Sequence, residues 1–156
     1  VLVTGATGYI ARHIVARLLD RGDTVIGSAR DLTRDREMRD ALRPALRTTA
    51  SLDRYRTVAL DLTDDSGWSK AMDGVDVLIH TASPFPMTQP KDPQELIAPA
   101  VEGAKRAIRA AKAAGVGRVI LTSSVAAVSG CDLPPGRSTL AMPCNAVTGS
   151  GIVQRL

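Results

Sequence analysis

Two glycines three residues apart, at the seam between an apolar β-branched run and an amphipathic helical run, constrain this chain more than any other feature. Val1-Leu2-Val3-Thr4 reads as a buried strand, and it runs directly into Gly5-Ala6-Thr7-Gly8. From Tyr9 to Asp20 the apolar residues Ile10, Ile14, Val15, Leu18 and Leu19 recur at helical spacing, and Gly22 is placed to end the helix. Gly5 permits a tight turn, Gly8 lets the main chain approach a ligand closely, and Ala11 takes the close-packing position. The start of the helix offers free N–H groups and a partial positive charge, so the seam predicts a site for a pyrophosphate. The plainer alternative is a glycine turn with no ligand.

Strand-like and helix-like runs then alternate. Thr24 to Ala29 predicts a second strand. Thr33 to Arg47 predicts a helix with Met38, Leu42, Ala45 and Leu46 on one side and Arg39, Arg43 and Arg47 on the other, kinked or split at Pro44. Arg56 to Leu60 predicts a third strand, Ser66 to Met72 a short helix with Trp68 packed inward, and Val75 to His80 a fourth strand. A Pro-rich loop spans Ser83 to Pro93. Leu96 to Ala114 predicts a helix interrupted at Pro99, with Val101, Ala104, Ile108 and Ala111 on one face, stopped by Gly115. Gly117 to Thr122 predicts a fifth strand. Five strands alternating with helices imply an α/β fold with a doubly wound parallel sheet, and right-handed crossovers favour the order 3-2-1-4-5.

Composition agrees with that architecture. With 44% apolar and 23% charged residues in 156, the chain has the balance of one globular domain, and 3% aromatics leave an aliphatic core of the kind parallel sheets bury. Scarce aromatics also argue against single-stranded nucleic-acid binding, which relies on stacking platforms. The net charge is +4. Much of it lies between Arg30 and Arg56, where eight arginines face five acids, which reads more simply as a solvated face near a phosphate-bearing ligand than as a nucleic-acid patch. No apolar run approaches the ~18 residues of a membrane span. Cys131 and Cys144 match no metal spacing, so no metal is expected, and a reduced, cytoplasmic setting is. From Ser129 onward the character changes: residues 1–129 are expected to form the nucleotide-binding domain, and 130–156 an irregular tail.

Four strand ends carry the remaining candidates. The second ends Gly27-Ser28-Ala29-Arg30, where a dinucleotide site selective for NAD commonly has an acid; the Arg30 guanidinium suits a 2′-phosphate and favours NADP. Adjacent Asp31 keeps NAD open should it turn inward. Asp61 and Leu62 end the third strand where an adenine would be flanked, although Asp61 is equally read as a cap. Thr81, Ala82 and Ser83 end the fourth strand and leave room for a nicotinamide ribose; His80 beside them reads as a satisfied structural histidine. Thr122, Ser123 and Ser124 end the fifth strand; Thr122 and Ser123 are candidate cofactor contacts, and hydroxyls there could reach a substrate carbonyl or simply cap a turn.

Together the stretches VLVTGATGYIARHIVARLL, Ser-Ala-Arg-Asp, Asp-Leu-Thr-Asp, DGVDVLIHTASPFP and PAVEGAKRAIRAAKAAGVGRVILTSSVAAV resemble the extended short-chain dehydrogenase/reductase family (the NAD-dependent epimerase/dehydratase superfamily). Within it the likeness is to the dihydroflavonol reductase, cinnamoyl-CoA reductase and bacterial aldehyde reductase group, over Val1 to about Val128. The resemblance implies a Rossmann-type fold in which Gly5, Thr7, Gly8, Tyr9 and Ile10 touch the pyrophosphate region and Arg30 meets the 2′-phosphate. It further implies that Asp61 and Leu62 flank adenine, that Thr81, Ala82 and Ser83 line the nicotinamide side, and that Ser124 is the catalytic serine binding a small-molecule carbonyl substrate. A Tyr-x-x-x-Lys pair normally completes such a site. The only tyrosines are Tyr9 and Tyr55 and no lysine follows Lys112, so the chain is expected to be an N-terminal fragment that binds NADP without useful turnover. A homodimer through the fourth helix is one expectation for partners. NAD-dependent sugar-nucleotide epimerases or dehydratases, and a non-catalytic NADP-binding protein, are the competing readings.

Overall fold

The computed structural model describes residues 1–84, 92 and 94–123, together with the backbone of residues 152–155. Ser124, both cysteines and the boundary at residue 129 lie outside the described residues. Five parallel strands, β1 (Leu2–Thr4), β2 (Val25–Ala29), β3 (Tyr55–Ala59), β4 (Val77–His80) and β5 (Arg118–Leu121), run in the order 3-2-1-4-5, as the alternation of runs predicts. The tail departs from expectation. Instead of being irregular throughout, it contributes β6 (Ile152–Arg155), which pairs antiparallel with β5 from Arg118↔Arg155 to Leu121↔Ile152. An unpaired edge strand presents a row of free amides and carbonyls, and even a four-residue extended segment without glycine or proline can satisfy them.

Alternate residues of each central strand feed opposite layers of core. Val3, Val25 and Ile79 join α1 (Tyr9–Asp20) and α2 (Asp35–Leu42) on one side. Leu2, Ile26 and Leu78 join α3 (Trp68–Met72) and α4 (Gln94–Ala113) on the other. This period-two division places each strand in a sandwich of helices and leaves the carboxyl ends of the strands as the open edge. Helix α1 buries Ala11, Val15 and Leu19 at four-residue spacing and ends at Gly22, in the left-handed region at φ +92°.

Three helices differ from expectation. The predicted helix 33–47 is reduced to α2, flanked by 3-10 turns at Leu32–Arg34 and Arg43–Ala45. Pro44 has no amide to donate and its ring crowds the preceding turn, so the chain tightens and then leaves in extended conformation at Leu46. Met38 and Leu42 are buried as expected, but Ala45 is exposed. Arg39 is not simply on the solvent side: it donates to the Tyr55 carbonyl at 3.0 Å and to Asp35 at 2.9 Å. Helix α3 starts at Trp68 rather than Ser66, because the Asp64 carboxylate takes the Ser66 amide and hydroxyl into a turn of its own.

Helix α4 runs unbroken through Pro99. One main-chain bond is lost there, and the buried face further along, Gly103, Ala107 and Ala111, holds the helix on the sheet. That face is rotated from the expected one, leaving Val101 exposed. Gly103 explains the rotation: a Cβ there would stand 2.8 Å from Leu62 Cβ, so the glycine turns toward the loop after β3. Among the described residues no helix is long and apolar enough to cross a membrane.

Candidate functional site

The sheet order reverses between β1 and β4, and a cleft of about 490 Å³ opens there at the carboxyl ends of the strands. Its floor is the glycine turn. Gly5 sits at φ +66°, and a Cβ on it would come within 3.0 Å of Ala82 Cα, so both conformation and space require glycine. Its amide donates to Ser28 Oγ at 3.2 Å, and the Ala6 amide donates to the Ser28 carbonyl at 2.9 Å, which ties the turn to the end of β2. The Gly8 amide returns to the Gly5 carbonyl at 2.9 Å, and α1 begins at the next residue. No side chain caps α1 and no acid occupies its first turn. The first amides of the helix therefore keep their hydrogen-bonding capacity and its partial positive charge for an anion.

The β4 side of the floor rests on a buried polar network. Thr4 Oγ1 accepts the amides of Thr81 and Ala82, each at 3.1 Å, and stands 2.9 Å from His80 Nδ1. With both amides pointing at the oxygen, the hydroxyl proton goes to the imidazole, which makes Nδ1 an acceptor and leaves the ring proton on Nε2. Burial pushes the His80 pKa down to about 4, so the neutral form demanded by this arrangement is the one present at neutral pH. His80 is therefore a buried, neutral histidine bonded through Nδ1, which fits the structural role read from the sequence. Thr81 Oγ1 donates to the Thr4 carbonyl and completes the join between β1 and β4.

Of the sequence-predicted residues, Gly5, Thr7, Gly8, Arg30, Asp61, Leu62, Thr81, Ala82 and Ser83 line this one cleft. Arg30 is exposed at its rim and forms no ion pair among the described residues. Its neighbour Asp31 is occupied elsewhere: the carboxylate accepts the Thr33 amide at 2.8 Å, and hydrogen bonding to Thr33 holds its pKa below the usual range. Asp61 accepts both the amide and the hydroxyl of Thr63 at 2.7 Å; these bonds, and the Arg30 charge after them, lower its pKa. Asp61 thus forms a turn of its own, and also faces the cleft.

Other candidates are not brought in. The side chains of Tyr9 and Ile10 are 73% and 63% exposed and lie along a separate surface groove with His13 and Arg17, so only their main chain belongs to the helix start. Thr122 directs its amide and hydroxyl to the His80 carbonyl, at 3.0 and 3.1 Å, and neither it nor Ser123 lines the cleft. Sequence reasoning missed Ser28, Trp68, Glu95 and Leu96 as cleft residues. Ser28 stands in the motif beside Arg30 and could have been found there; the other three come from helices whose placement is tertiary.

A parallel sheet with its switch point between β1 and β4, carrying a glycine turn and an uncapped helix start at that point, defines the Rossmann class of nucleotide-binding domains. The NAD dependent epimerase/dehydratase family matches residues 1–151, and the chain belongs to that family. It is 42% identical over 130 residues to cinnamoyl-CoA reductase 1 of Arabidopsis thaliana, covering 82% of this chain and 35% of that protein. It is 33% identical over 130 residues to dihydroflavonol 4-reductase of Hordeum vulgare, covering 83% and 36%. Among solved structures it is similar to the yeast methylglyoxal/isovaleraldehyde reductase complexed with NADPH, with TM-score 0.65 and 35% identity over 81% of this chain and 37% of that one. The chain thus spans about a third of the length of these relatives.

Proposed function

We propose that this chain is the NADP-binding portion, residues 1–129, of an oxidoreductase that reduces a small carbonyl compound. The observation that carries the reading is the pairing at the end of β2: Arg30 stands at the rim of the cleft without an ion pair among the described residues, while Asp31 is committed to Thr33. A guanidinium in that place attracts a 2′-phosphate, and an aspartate turned into its own loop does not compete for the ribose hydroxyl.

The remaining cleft fits the rest of such a cofactor. The Gly5 and Gly8 turn, with the amide of Thr7 and those of Tyr9 and Ile10 at the start of α1, would receive the pyrophosphate. Asp61 and Leu62 would flank adenine, and Thr81, Ala82 and Ser83 the nicotinamide ribose. When bound, the nicotinamide supplies hydride. Ser124, by family resemblance, would hold the substrate carbonyl oxygen, with Thr122 and Ser123 setting the strand end before it. Both tyrosines precede β4 in the chain, and neither is followed by a lysine four residues later. These 156 residues would accordingly bind the cofactor without sustaining turnover.

Titration of the folded chain with NADPH and NADH tests the reading. Saturable binding with NADPH preferred supports it; binding of neither, or a preference for NADH, overturns it. Steady NADPH oxidation with any aldehyde would overturn the statement about turnover.

A further inference from the structure

We infer that Arg106 of α4 is a positioning residue that sets the adenine-facing wall of the cleft, an inference resting on the proposed binding of NADP. The wall is the loop leaving β3, of which Asp61 and Leu62 face the cleft. Such a loop would ordinarily be the most mobile part of a nucleotide site. Here its main chain is held by two side chains, one from α3 at the cleft itself and one from α4 outside it. Trp68 Nε1 donates to the carbonyls of Asp61 at 3.1 Å and Asp64 at 3.0 Å. Arg106 takes the carbonyl between them, donating Nη1 to Leu62, while its Nε meets the Asp65 carboxylate.

The two arms of Arg106 are not equal. Its side chain is 21% exposed and that of Asp65 88%, so the ion pair is a solvated surface pair of little energy. The bond to the Leu62 carbonyl is partly buried, and a charged donor there is worth more than a neutral one. Gly103, three residues earlier on α4, has no side chain to push Leu62 outward. The same helix reaches the cleft with Glu95 and Leu96, about three turns before Arg106. Helix α4 therefore carries a cleft residue at one end and a bond to the wall further along, and registers one against the other.

The test uses the two halves of the cofactor as separate probes on the 156-residue chain. Arg106→Met keeps the aliphatic stem and removes both polar arms. It should weaken adenosine 2′,5′-bisphosphate about ten-fold, while reduced nicotinamide mononucleotide binds within two-fold of the unsubstituted chain. Asp65→Asn, which spares the Leu62 bond, should leave both probes nearly unchanged. Equal weakening of both probes by R106M marks a merely structural residue and overturns the inference, as does no weakening of either. A loss in D65N as large as that in R106M overturns the assignment to the Leu62 carbonyl. Should R106M not fold, Arg106→Lys serves the same comparison, with a loss of about three-fold expected for the adenylate probe alone. An unsubstituted chain that binds neither probe removes the cofactor reading and this inference together; normal binding that R106M leaves unchanged removes the inference alone.

Discussion

Thr4 Oγ1 and His80 Nδ1 face each other at 2.9 Å across the join of β1 and β4, with the Thr81 and Ala82 amides already donated to the same oxygen. One hydroxyl therefore satisfies three groups at the base of the cleft, and each of them is stranded if it goes. Thr4→Val, nearly isosteric, should destabilise the chain by about 3 kcal/mol, because buried polar groups left without partners lose their bonds and regain no water. Thr4→Ser should cost much less. Denaturant melts of the two variants check this; equal stability for Val and the unsubstituted chain would refute the network.

The His80 imidazole sets a pH window. Its pKa lies near 4 when folded, below the value of about 6.5 for a free histidine. Between those two values the unfolded chain takes up a proton that the folded chain refuses. Stability is therefore complete above pH 6.5 and declines as pH falls toward 4, by roughly 3 kcal/mol from this group. The carboxylates of Asp35 and Asp61, held low chiefly by hydrogen bonds from Thr57 and Thr63, withdraw their contribution further down. Unfolding free energy measured at pH 7 and pH 4.5 should show the decline in the unsubstituted chain, and His80→Gln should flatten it.

At the rim, Arg30→Ala should weaken NADPH by about ten- to a hundred-fold, the worth of a charge-assisted bond to phosphate. NADH should change little, since it lacks that phosphate. Equal losses for both cofactors, read by fluorescence titration, would remove Arg30 from this role.

The two glycines of the turn should behave differently. Gly5→Ala forces a Cβ into the left-handed region and against Ala82 Cα, and should cost at least about 1–2 kcal/mol of stability as well as binding. Gly8 has an ordinary extended backbone, and among the described residues its Cβ would meet only the Gly5 carbonyl, at 3.2 Å. Gly8→Ala should keep most of the stability while weakening NADPH. Thermal melts beside titrations of the two variants separate the effects.

Strand order, the seam from β1 to α1 and most of the cleft residues were legible because their signals are local. Val3 and Leu2 alternate with the pleat, Val15 and Leu19 repeat with the helix turn, and glycine marks the bend. Helix boundaries were less so. Pro44 ended α2 while Pro99 did not end α4. The difference lies in the residues just beyond each proline: exposed Ala45 in one case, a buried Gly103, Ala107 and Ala111 face in the other. Tyr9 and Ile10 show the same limit at the site, for motif position placed them correctly along the chain without saying which way their side chains turn.

The sequence by itself determined the succession of strands and helices, the glycine turn and the positive charge after β2, since each depends on residues within one turn or one pleat of each other. Only the tertiary structure decided that Asp31 serves Thr33, that Thr4 serves His80, and that Arg106 holds the carbonyl of Leu62. The last two join residues 76 and 44 positions apart. Their meeting depends on the stacking of whole elements, which no local pattern encodes. Asp31 and Thr33 are neighbours, yet the sequence left open whether the carboxylate turns inward; in the fold it accepts the Thr33 amide of its own loop.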